Sequence, residues 1–288
     1  MDFTDLLQLV VYGMVLGSIL TLGAIGVSLL FGILRFSNFA HGDIMTFGAY
    51  TAFVVISVFH GPVWLALPVG MIGGALISIL ADQLVYRHLR RTQPVILLIS
   101  SFGMALIIRS IIQLIWGTQD KSLVKGIQMP MHFGDIAVRP DHIWIFGGCV
   151  GIVIAVHLFL TYTRMGKAMR AMSDNMDLAR VTGIDAEKVI VCTWALGGAL
   201  AAAAGVFLAL DTRLTPMMGW SALLPIFAAA ILGGFGKPYG AIVGGMVIGI
   251  VSELSTAVMP PAYKPAIAFT VMVIMLIVKP TGLLGARR

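Results

Sequence analysis

The chain has 288 residues, of which 59% are hydrophobic and only 11% are charged, and its mean hydropathy is +0.98. An average soluble domain carries about 25% charged residues, so this chain cannot cover a globule of its size with solvated side chains. The composition excludes a soluble enzyme and a nucleic-acid-binding protein. It predicts an integral membrane protein whose net charge of +6 is divided between two aqueous sides.

The first apolar run predicts a retained membrane span. It extends from about Leu6 to about Leu34, whereas the apolar part of a cleavable signal peptide is only about 7–15 residues long. Asp2 and Asp5 also stand where a signal peptide carries basic residues.

The remaining chain alternates long apolar runs with short polar segments. A bilayer core of about 30 Å needs about 20 helical residues, and these runs are too long and too continuous for barrel strands. We predict an all-α fold, a polytopic transmembrane helical bundle of about 8–9 spans, in which residues 1–288 form a single domain. The candidate spans lie near 6–34, 44–60, 62–84, 94–116, 142–163, 189–211, 220–234, 240–258 and 262–279.

The basic residues predict the orientation. One set of loops holds thirteen Lys and Arg residues and the opposite set holds five, so the positive-inside rule places the amino terminus outside and the carboxyl terminus in the cytoplasm. The larger set is Arg35, Arg87, Arg90, Arg91, Arg164, Lys167, Arg170, Arg180, Lys188, Lys237, Lys279, Arg287 and Arg288, and the smaller set is Lys121, Lys125, Arg139, Arg213 and Lys264.

The run 220–234 is short for a crossing and contains Pro225. If it were re-entrant, the basic carboxyl terminus would end outside, so parity favours nine crossings. In the alternative, 220–234 only dips into the membrane and a break near 35–43 restores the count.

The segment from Arg35 to Asp43 joins two apolar runs with almost no loop, so it is expected at or below the membrane surface. Irregular backbone at that depth survives only when it is buried in protein or lines a wet cavity. Asn38, His41 and Asp43 then face a pathway. The equally open alternative to a pathway lining is an interfacial turn in which Asp43 stabilises the start of the next helix.

Three charged residues fall within predicted spans: Arg109 mid-span, Glu253 in the eighth and Asp82 near the inner end of the third. A charge at mid-bilayer is normally paired or wet. One hypothesis is that Arg109 pairs with Glu253, either as a structural pair or as part of a pathway lining. The hydroxyls of Ser100 and Ser101 follow the helix-breaking Pro94 and are candidates for bonding backbone or substrate.

The segment 164–188 is the one sizeable polar element on the predicted cytoplasmic side, and 117–141 is the corresponding outer loop. The apolar residues of the segment 164–188 recur at steps of three and four. This spacing predicts an amphipathic helix over 167–183 that ends at Gly183. Both charge signs lie on its polar face, which favours docking in a partner's groove over lying on the membrane. The apolar face holds Ala168, Met169, Met172, Met176 and Ala179, and the polar face holds Lys167, Arg170, Asp174 and Asp177.

Glycines at steps of four, Gly236, Gly240 and Gly244, predict close helix packing. The chain has no phosphate-binding loop, because Gly236-Lys237 is followed by Pro238, and it has no zinc-protease or nucleophile-elbow motif. We therefore expect no catalysis and no metal site. Any ATP-driven step belongs to another polypeptide.

Four features resemble the permease subunits of bacterial branched-chain amino-acid ABC importers, the LivH type. One is the turn from Ser37 to Asp43, similar to the family's Asn-Leu-Ala-His-Gly-Glu segment, and another is the cytoplasmic segment from Gly166 to Ile184. The others are Ala228-Ala229-Ala230-Ile231-Leu232-Gly233-Gly234 leading to Gly244, and the closing Lys279-Pro280-Thr281-Gly282-Leu283-Leu284-Gly285. Phe39, Asp43 and Arg109 depart from the family pattern.

The resemblance implies a multi-pass protein of the bacterial inner membrane, without cofactors of its own. Its partners are a second homologous permease, two cytoplasmic ATPases that bind ATP and Mg, and a periplasmic binding protein. Asn38, His41, Asp43, Ser100, Ser101, Arg109 and Glu253 are then pathway candidates. The ATPase-coupling candidates are Lys167, Met169, Arg170, Met172, Asp174, Asp177, Arg180 and Gly183.

Two alternatives stay open. The same importer family handles urea and short amides as well as branched-chain amino acids, and the permease sequence does not choose among them. A self-sufficient channel or secondary carrier, with Arg109 and Glu253 in an ion-coupled site, is the other reading.

Overall fold

The computed structural model describes residues 3–90, 92–123, 130–133, 136–279 and 281–284. Residues used above that lie outside the described part are Asp2, Arg91, Lys125, Pro280, Gly285, Arg287 and Arg288.

The described residues are mainly helical, as the all-α prediction requires. The helices are α1 Phe3–Leu34, α2 His41–Ser57, α3 Val63–Ala81, α4 Arg87–Leu89, α5 Pro94–Trp116, α6 Pro140–Tyr162, α7 Arg164–Asp174, α8 Met176–Val181, α9 Ala186–Asp211, α10 Met218–Gly233, α11 Pro238–Leu254 and α12 Lys264–Val278. A π-helical turn, Asp82–Tyr86, joins α3 to α4, and short 3-10 turns at Ser255–Ala257 and Pro261–Tyr263 connect α11 to α12.

Within the described ranges, seven helices are long and apolar enough to cross a bilayer. They are Thr4–Leu34, Val63–Leu89, Pro94–Trp116, Pro140–Tyr162, Ala186–Asp211, Pro238–Ala257 and Pro261–Val278. Two shorter helices, α2 and α10, correspond to the predicted runs 44–60 and 220–234, and Pro225 lies inside α10 without ending it. A polytopic helical membrane protein is confirmed, whereas the count of eight or nine crossings stays a prediction.

The centre of the bundle is built from α1 and α9, which are the most buried of the long helices. Glycines of α1 face α11, where Gly17 lies against the backbone of Met246 and Gly249 lies against Gly17. Missing side chains at such positions let two helix backbones approach closely. The predicted packing glycines lie at similar contacts, since Gly240 and Gly244 face the α10 backbone and Gly236 faces Gly32.

The short helices α2 and α10 begin inside the bundle, and their amino termini meet there. A Cβ on Gly42 or on Gly219 would overlap the other residue's carbonyl oxygen. The Gly219 N–H donates to Thr46 Oγ1 at 3.1 Å. Because α2 starts beside Gly23, about 16 Å along α1 from its end at Leu34, the connecting segment returns into the bundle before α2 begins.

The segment 164–188 differs from its prediction. Instead of one helix over 167–183, α7 ends at Asp174 and α8 begins at Met176, with Asn175 extended between them. The Asn175 side chain accepts a hydrogen bond from Leu178 N–H at 3.0 Å, because an asparagine caps a new helix better than it continues an old one. Gly183, with φ of +88°, terminates α8.

The predicted outer loop 117–141 contains a β-hairpin that sequence reasoning did not anticipate. Strand β1, Met131–Phe133, pairs antiparallel with β2, Ile136–Val138, and Gln8 of α1 bonds the Ala137 backbone at 2.7 and 2.9 Å. Lys121 also pairs with Leu214 through two backbone hydrogen bonds. This end of the bundle is opposite the end that carries α7 and α8.

Candidate functional site

The turn before α2 is held by its own Asn38 and by side chains from the π-helical turn and from α5. Asn38 is buried, and its Oδ1 accepts hydrogen bonds from the Ala40 N–H at 3.1 Å and from the Tyr86 hydroxyl at 3.3 Å. The Phe39 N–H donates to Ser101 Oγ at 3.1 Å, and that hydroxyl donates in turn to Leu98 O. The polar residues of the turn therefore replace the hydrogen bonds that irregular backbone lacks in a membrane.

His41 is fully buried at the first position of α2. Its Nε2 lies 3.1 Å from the carbonyl oxygen of Gly23. Because a carbonyl only accepts, Nε2 carries the hydrogen and the imidazole joins α2 to the middle of α1. Among the described residues Nδ1 has no hydrogen-bond partner.

Asp43 and Arg109 form a two-pronged ion pair between α2 and α5. Arg109 Nε and Nη2 each donate to one carboxylate oxygen of Asp43 at 2.9 Å. The Asp43 side chain is fully buried and that of Arg109 is 12% exposed. The indole of Trp220, at the start of α10, lies 4.8 Å from the guanidinium carbon. Parallel hydrogen bonds of this kind fix the orientation of both groups, and the ring adds a cation–π contact.

The hypothesis that Arg109 pairs with Glu253 is wrong. Glu253 pairs instead with Lys264, at 2.5 Å, near the end of the bundle that carries the β-hairpin. The reason lies in the packing: α5 contacts α2, whereas α11 packs on α1, α10 and α12. Glu253 therefore lies apart from the other pathway candidates.

Aromatic rings form two groups, one beside the turn before α2 and one beside Arg109. Phe235 stacks near Phe31 with ring centroids 3.9 Å apart, and Phe227 contacts both Phe235 and Phe39. Further along, Phe102 meets Trp220 edge-on at 5.6 Å. We call this set the aromatic track: Phe31, Phe39, Phe102, Phe227, Phe235 and Trp220.

The structure thus gathers Asn38, His41, Asp43, Ser101 and Arg109 around the amino terminus of α2. Ser100 is partly exposed on α5, one residue from the buried Ser101. A polar cluster with an aromatic approach can bind a small molecule that carries both charge and apolar surface.

A second network of polar and aromatic side chains, which the sequence analysis did not predict, lies on the other side of Asn38. Tyr86, which bonds Asn38, stacks flat on Trp194 at 4.9 Å. Nearby, Arg90 pairs with Asp82 and with both carboxylate oxygens of Glu187 at 2.9 Å. Burial lowers the pKa of Arg90, but the hydrogen bonds and charges of the two carboxylates outweigh it and raise the pKa above its usual value. The sequence signal that could have revealed this network was the charged residue Asp82 inside a predicted span.

The α7–α8 segment turns its apolar face towards its own bundle. Met169 and Met172 are each 2% exposed, so they hold the segment in place and present no surface to a partner. The charged candidates on this segment are all exposed: Lys167, Arg170, Asp174, Asp177 and Arg180. Two apolar residues that the sequence analysis did not single out, Leu178 and Val181, are 62% and 85% exposed.

The chain was compared with known families and proteins. The family described as "Branched-chain amino acid transport system / permease component" matches residues 9–276. The chain is 33% identical to the high-affinity branched-chain amino acid transport system permease protein LivH of Escherichia coli (strain K12), over 99% of this chain and 97% of that protein. It is 30% identical to the corresponding protein BraD of Pseudomonas aeruginosa, over 97% and 95% of the two chains.

More distant similarity extends to other import permeases. The fructose import permease protein FruF of Bifidobacterium longum is 28% identical over 74% of this chain and 58% of its own length. Among solved structures, a chain of PsaBC from Streptococcus pneumoniae in complex with Fab superposes with a TM-score of 0.51, over 94% of this chain and 91% of that chain. At 13% identity this likeness concerns the fold alone.

Proposed function

Because the chain belongs to the family of branched-chain amino acid transport permease components, we propose that it is the membrane-spanning subunit of an ATP-driven importer of branched-chain amino acids. The supporting observation is similarity to LivH over 99% of this chain, including the turn that leads into α2. In the bacterial inner membrane, such a subunit provides the path for the amino acid and hydrolyses no ATP itself.

The proposed orientation follows the charges. The end of the bundle with α7, α8, Arg35, Arg90 and Lys237 faces the cytoplasm, and the end with the β-hairpin faces outward. In this arrangement α2 and α10 complete nine crossings.

The proposed partners follow from the chemistry that the sequence lacks. A chain without a phosphate-binding loop depends on two ATPase subunits, which hold ATP and Mg. A second, homologous permease completes the pathway. A periplasmic binding protein supplies the amino acid and carries the tight recognition, because a permease must release what it accepts.

The ATPases are proposed to dock on the outward surface of α7 and α8. Leu178 and Val181 provide an exposed apolar contact, and Arg170, Asp174 and Arg180 add exposed charges of both signs on the same segment. Exposed apolar residues ringed by polar ones are typical of protein–protein contacts. Closure of the ATPases around ATP would then move this segment and switch the pathway between inward- and outward-facing states.

The amino acid is proposed to pass along the aromatic track, between this chain and the second permease. Its aliphatic side chain would contact Phe227 and Phe102, and its charged groups would reach the Asp43–Arg109 pair beside Trp220. Since Asp43 and Arg109 already satisfy each other, their contact with the substrate is weak, as transit requires.

Two measurements test the proposal. Mass spectrometry of the tagged chain, extracted gently from its native membrane, should recover two copies of an ATPase and a second permease. A chain recovered only with itself would favour the carrier alternative.

Uptake of radiolabelled leucine in cells lacking other leucine transport should depend on this chain and be competed by valine and isoleucine. Competition by urea or acetamide instead would assign the chain to the amide branch of the family.

A further inference from the structure

A cavity of about 230 Å³ lies at the end of the bundle that carries α7 and α8. It is enclosed by the α1–α2 turn, the end of α3, the start of α5 and the α7–α8 segment. Most of its wall is apolar, including Leu97, Ile190, Met172 and Met176. The cavity is separate from the aromatic track, since none of the track's rings lines it.

Charged groups of both signs also line this cavity. Asp82 is buried, with one carboxylate oxygen bound to Arg90, while its Oδ1 has no hydrogen-bond partner among the described residues. The indole of Trp194 is close enough to influence Asp82 but does not form a well-aligned hydrogen bond with it. Arg35 and Arg180 also belong to the lining, so positive charge lies close to the cavity.

We propose that this cavity binds a free aliphatic amino acid from the cytoplasm. The unpartnered oxygen of Asp82 accepts from the α-ammonium group, because a buried acceptor without a partner gains most from a charged donor. Arg35 or Arg180 pairs with the α-carboxylate, and the aliphatic side chain packs against Leu97 and Met172. The proposal rests on the function and orientation proposed above, since it takes the transported amino acid as the ligand.

Occupancy of the cavity is coupled to the position of the α7–α8 segment. Met172 belongs to α7 and Met176 to α8, so a ligand that contacts both holds the two helices against the bundle across the break at Asn175. Arg35 strengthens the same junction, because its guanidinium donates to the Ser173 carbonyl at 2.7 Å. A segment held in this way resists the movement that ATP binding drives. The accumulated amino acid therefore slows its own import.

The first test uses right-side-out membrane vesicles that contain ATP and the complete importer. Vesicles are filled with unlabelled leucine or left without it, and the initial uptake of radiolabelled valine is measured with the binding protein outside. Internal leucine is expected to reduce the wild-type rate. The 2-oxo acid of leucine lacks the ammonium group and leucinamide lacks the carboxylate, so neither is expected to inhibit.

Two matched variants of α5 locate the effect. Leu97→Phe fills the cavity, and Leu98→Phe makes the same change at a neighbouring, 38% exposed position that does not line it. Leu97→Phe should raise the internal leucine concentration needed for half-inhibition by about tenfold, as for the loss of one good contact. Leu98→Phe should inhibit like wild type, and both should keep the uninhibited rate.

Direct binding separates this inference from the proposed function. Radiolabelled leucine should bind the purified complex in nanodiscs without nucleotide or binding protein, and Leu97→Phe should weaken that binding by about tenfold. Equal inhibition in Leu97→Phe and wild type, no inhibition in wild type, or a phospholipid retained in the cavity by native mass spectrometry would overturn the inference. A wild-type complex that binds leucine in this cavity yet imports no branched-chain amino acid would overturn the proposed function instead.

Discussion

At the scale of single residues, the Asp43–Arg109 pair is important for stability because both of its charges are buried. Both charges are almost fully withdrawn from solvent, and each satisfies the other through two hydrogen bonds. A buried pair contributes little relative to apolar residues of the same shape, but removing one partner leaves a buried charge alone. The pair therefore behaves as a unit.

Replacing Arg109 alone should destabilise the protein strongly. Arg109→Leu leaves the Asp43 carboxylate unpaired, and the expected loss is about 3–5 kcal/mol of unfolding free energy. The double variant Asp43→Asn with Arg109→Leu should recover most of the lost unfolding free energy. Thermal unfolding in mild detergent compares the stability of the single and the double variant. Glu253→Gln serves as the control, because its partner Lys264 is 30% exposed and keeps its access to solvent.

The double variant also tests the pathway role. If it folds normally, its leucine uptake should show a raised KM, because the substrate has lost its charged contact. Unchanged kinetics and specificity in a folded double variant would show that the pair serves the structure alone.

A second residue-scale prediction concerns the contact between α2 and α10. Gly219→Ala would place a methyl group on the Gly42 carbonyl oxygen, so the two helix starts must separate. Overpacking of this kind costs about 1–3 kcal/mol, and uptake should fall as well because Trp220 follows directly. Gly103→Ala, whose added methyl meets open space, is the matched control and should leave unfolding and uptake unchanged.

At the scale of elements, the α7–α8 segment is two short helices with separate tasks. Its buried methionines hold it to the bundle, and its exposed α8 surface is left for a partner. The charge pattern of the sequence predicted an exposed polar face correctly. It did not show the break at Asn175, because a capping side chain acts through local hydrogen bonds that periodicity ignores.

Val181→Asp should abolish ATP-driven uptake without affecting folding. Val181 is 85% exposed, so the substitution creates no buried charge in this chain, but it places a carboxylate in the proposed apolar contact. Co-purification of the ATPases and leucine uptake are the readouts. Lys188→Ala, at a 75% exposed side chain in the first turn of α9 and outside the coupling candidates, is the control. Normal uptake and ATPase recovery with Val181→Asp would remove α8 from the docking surface.

At the scale of the whole molecule, burial separates an inner bundle from a peripheral layer. The apolar stretches of α1 and α9 are 83% and 72% buried, whereas those of α6 and α12 are 22% and 6% buried. Apolar helices with so little cover need lipid or another membrane protein around them. The outer faces of the bundle are therefore expected to meet the bilayer or another membrane protein.

The orientation can be measured in intact cells with a membrane-impermeant maleimide. Gln119→Cys, in the predicted outer loop, should be labelled without permeabilisation, and Asp177→Cys on α8 should be labelled only after it. The native cysteines Cys149 and Cys192 are buried or partly buried and provide the unlabelled background. The reverse labelling pattern would invert the proposed topology.

The sequence alone determined the class of protein and the approximate positions of the long apolar helices, and it drew attention to the polar turn before α2. These depend on composition, on the length of apolar runs and on local irregularity, all of which are properties of the chain read in order. The tertiary structure alone decided that Arg109 pairs with Asp43, that Met169 and Met172 face inward, and that α2 and α10 meet at Gly42 and Gly219. The physical reason is that a helix apolar on all sides has no preferred face in its sequence, so its neighbours are chosen by shape and by the few polar groups that must be satisfied.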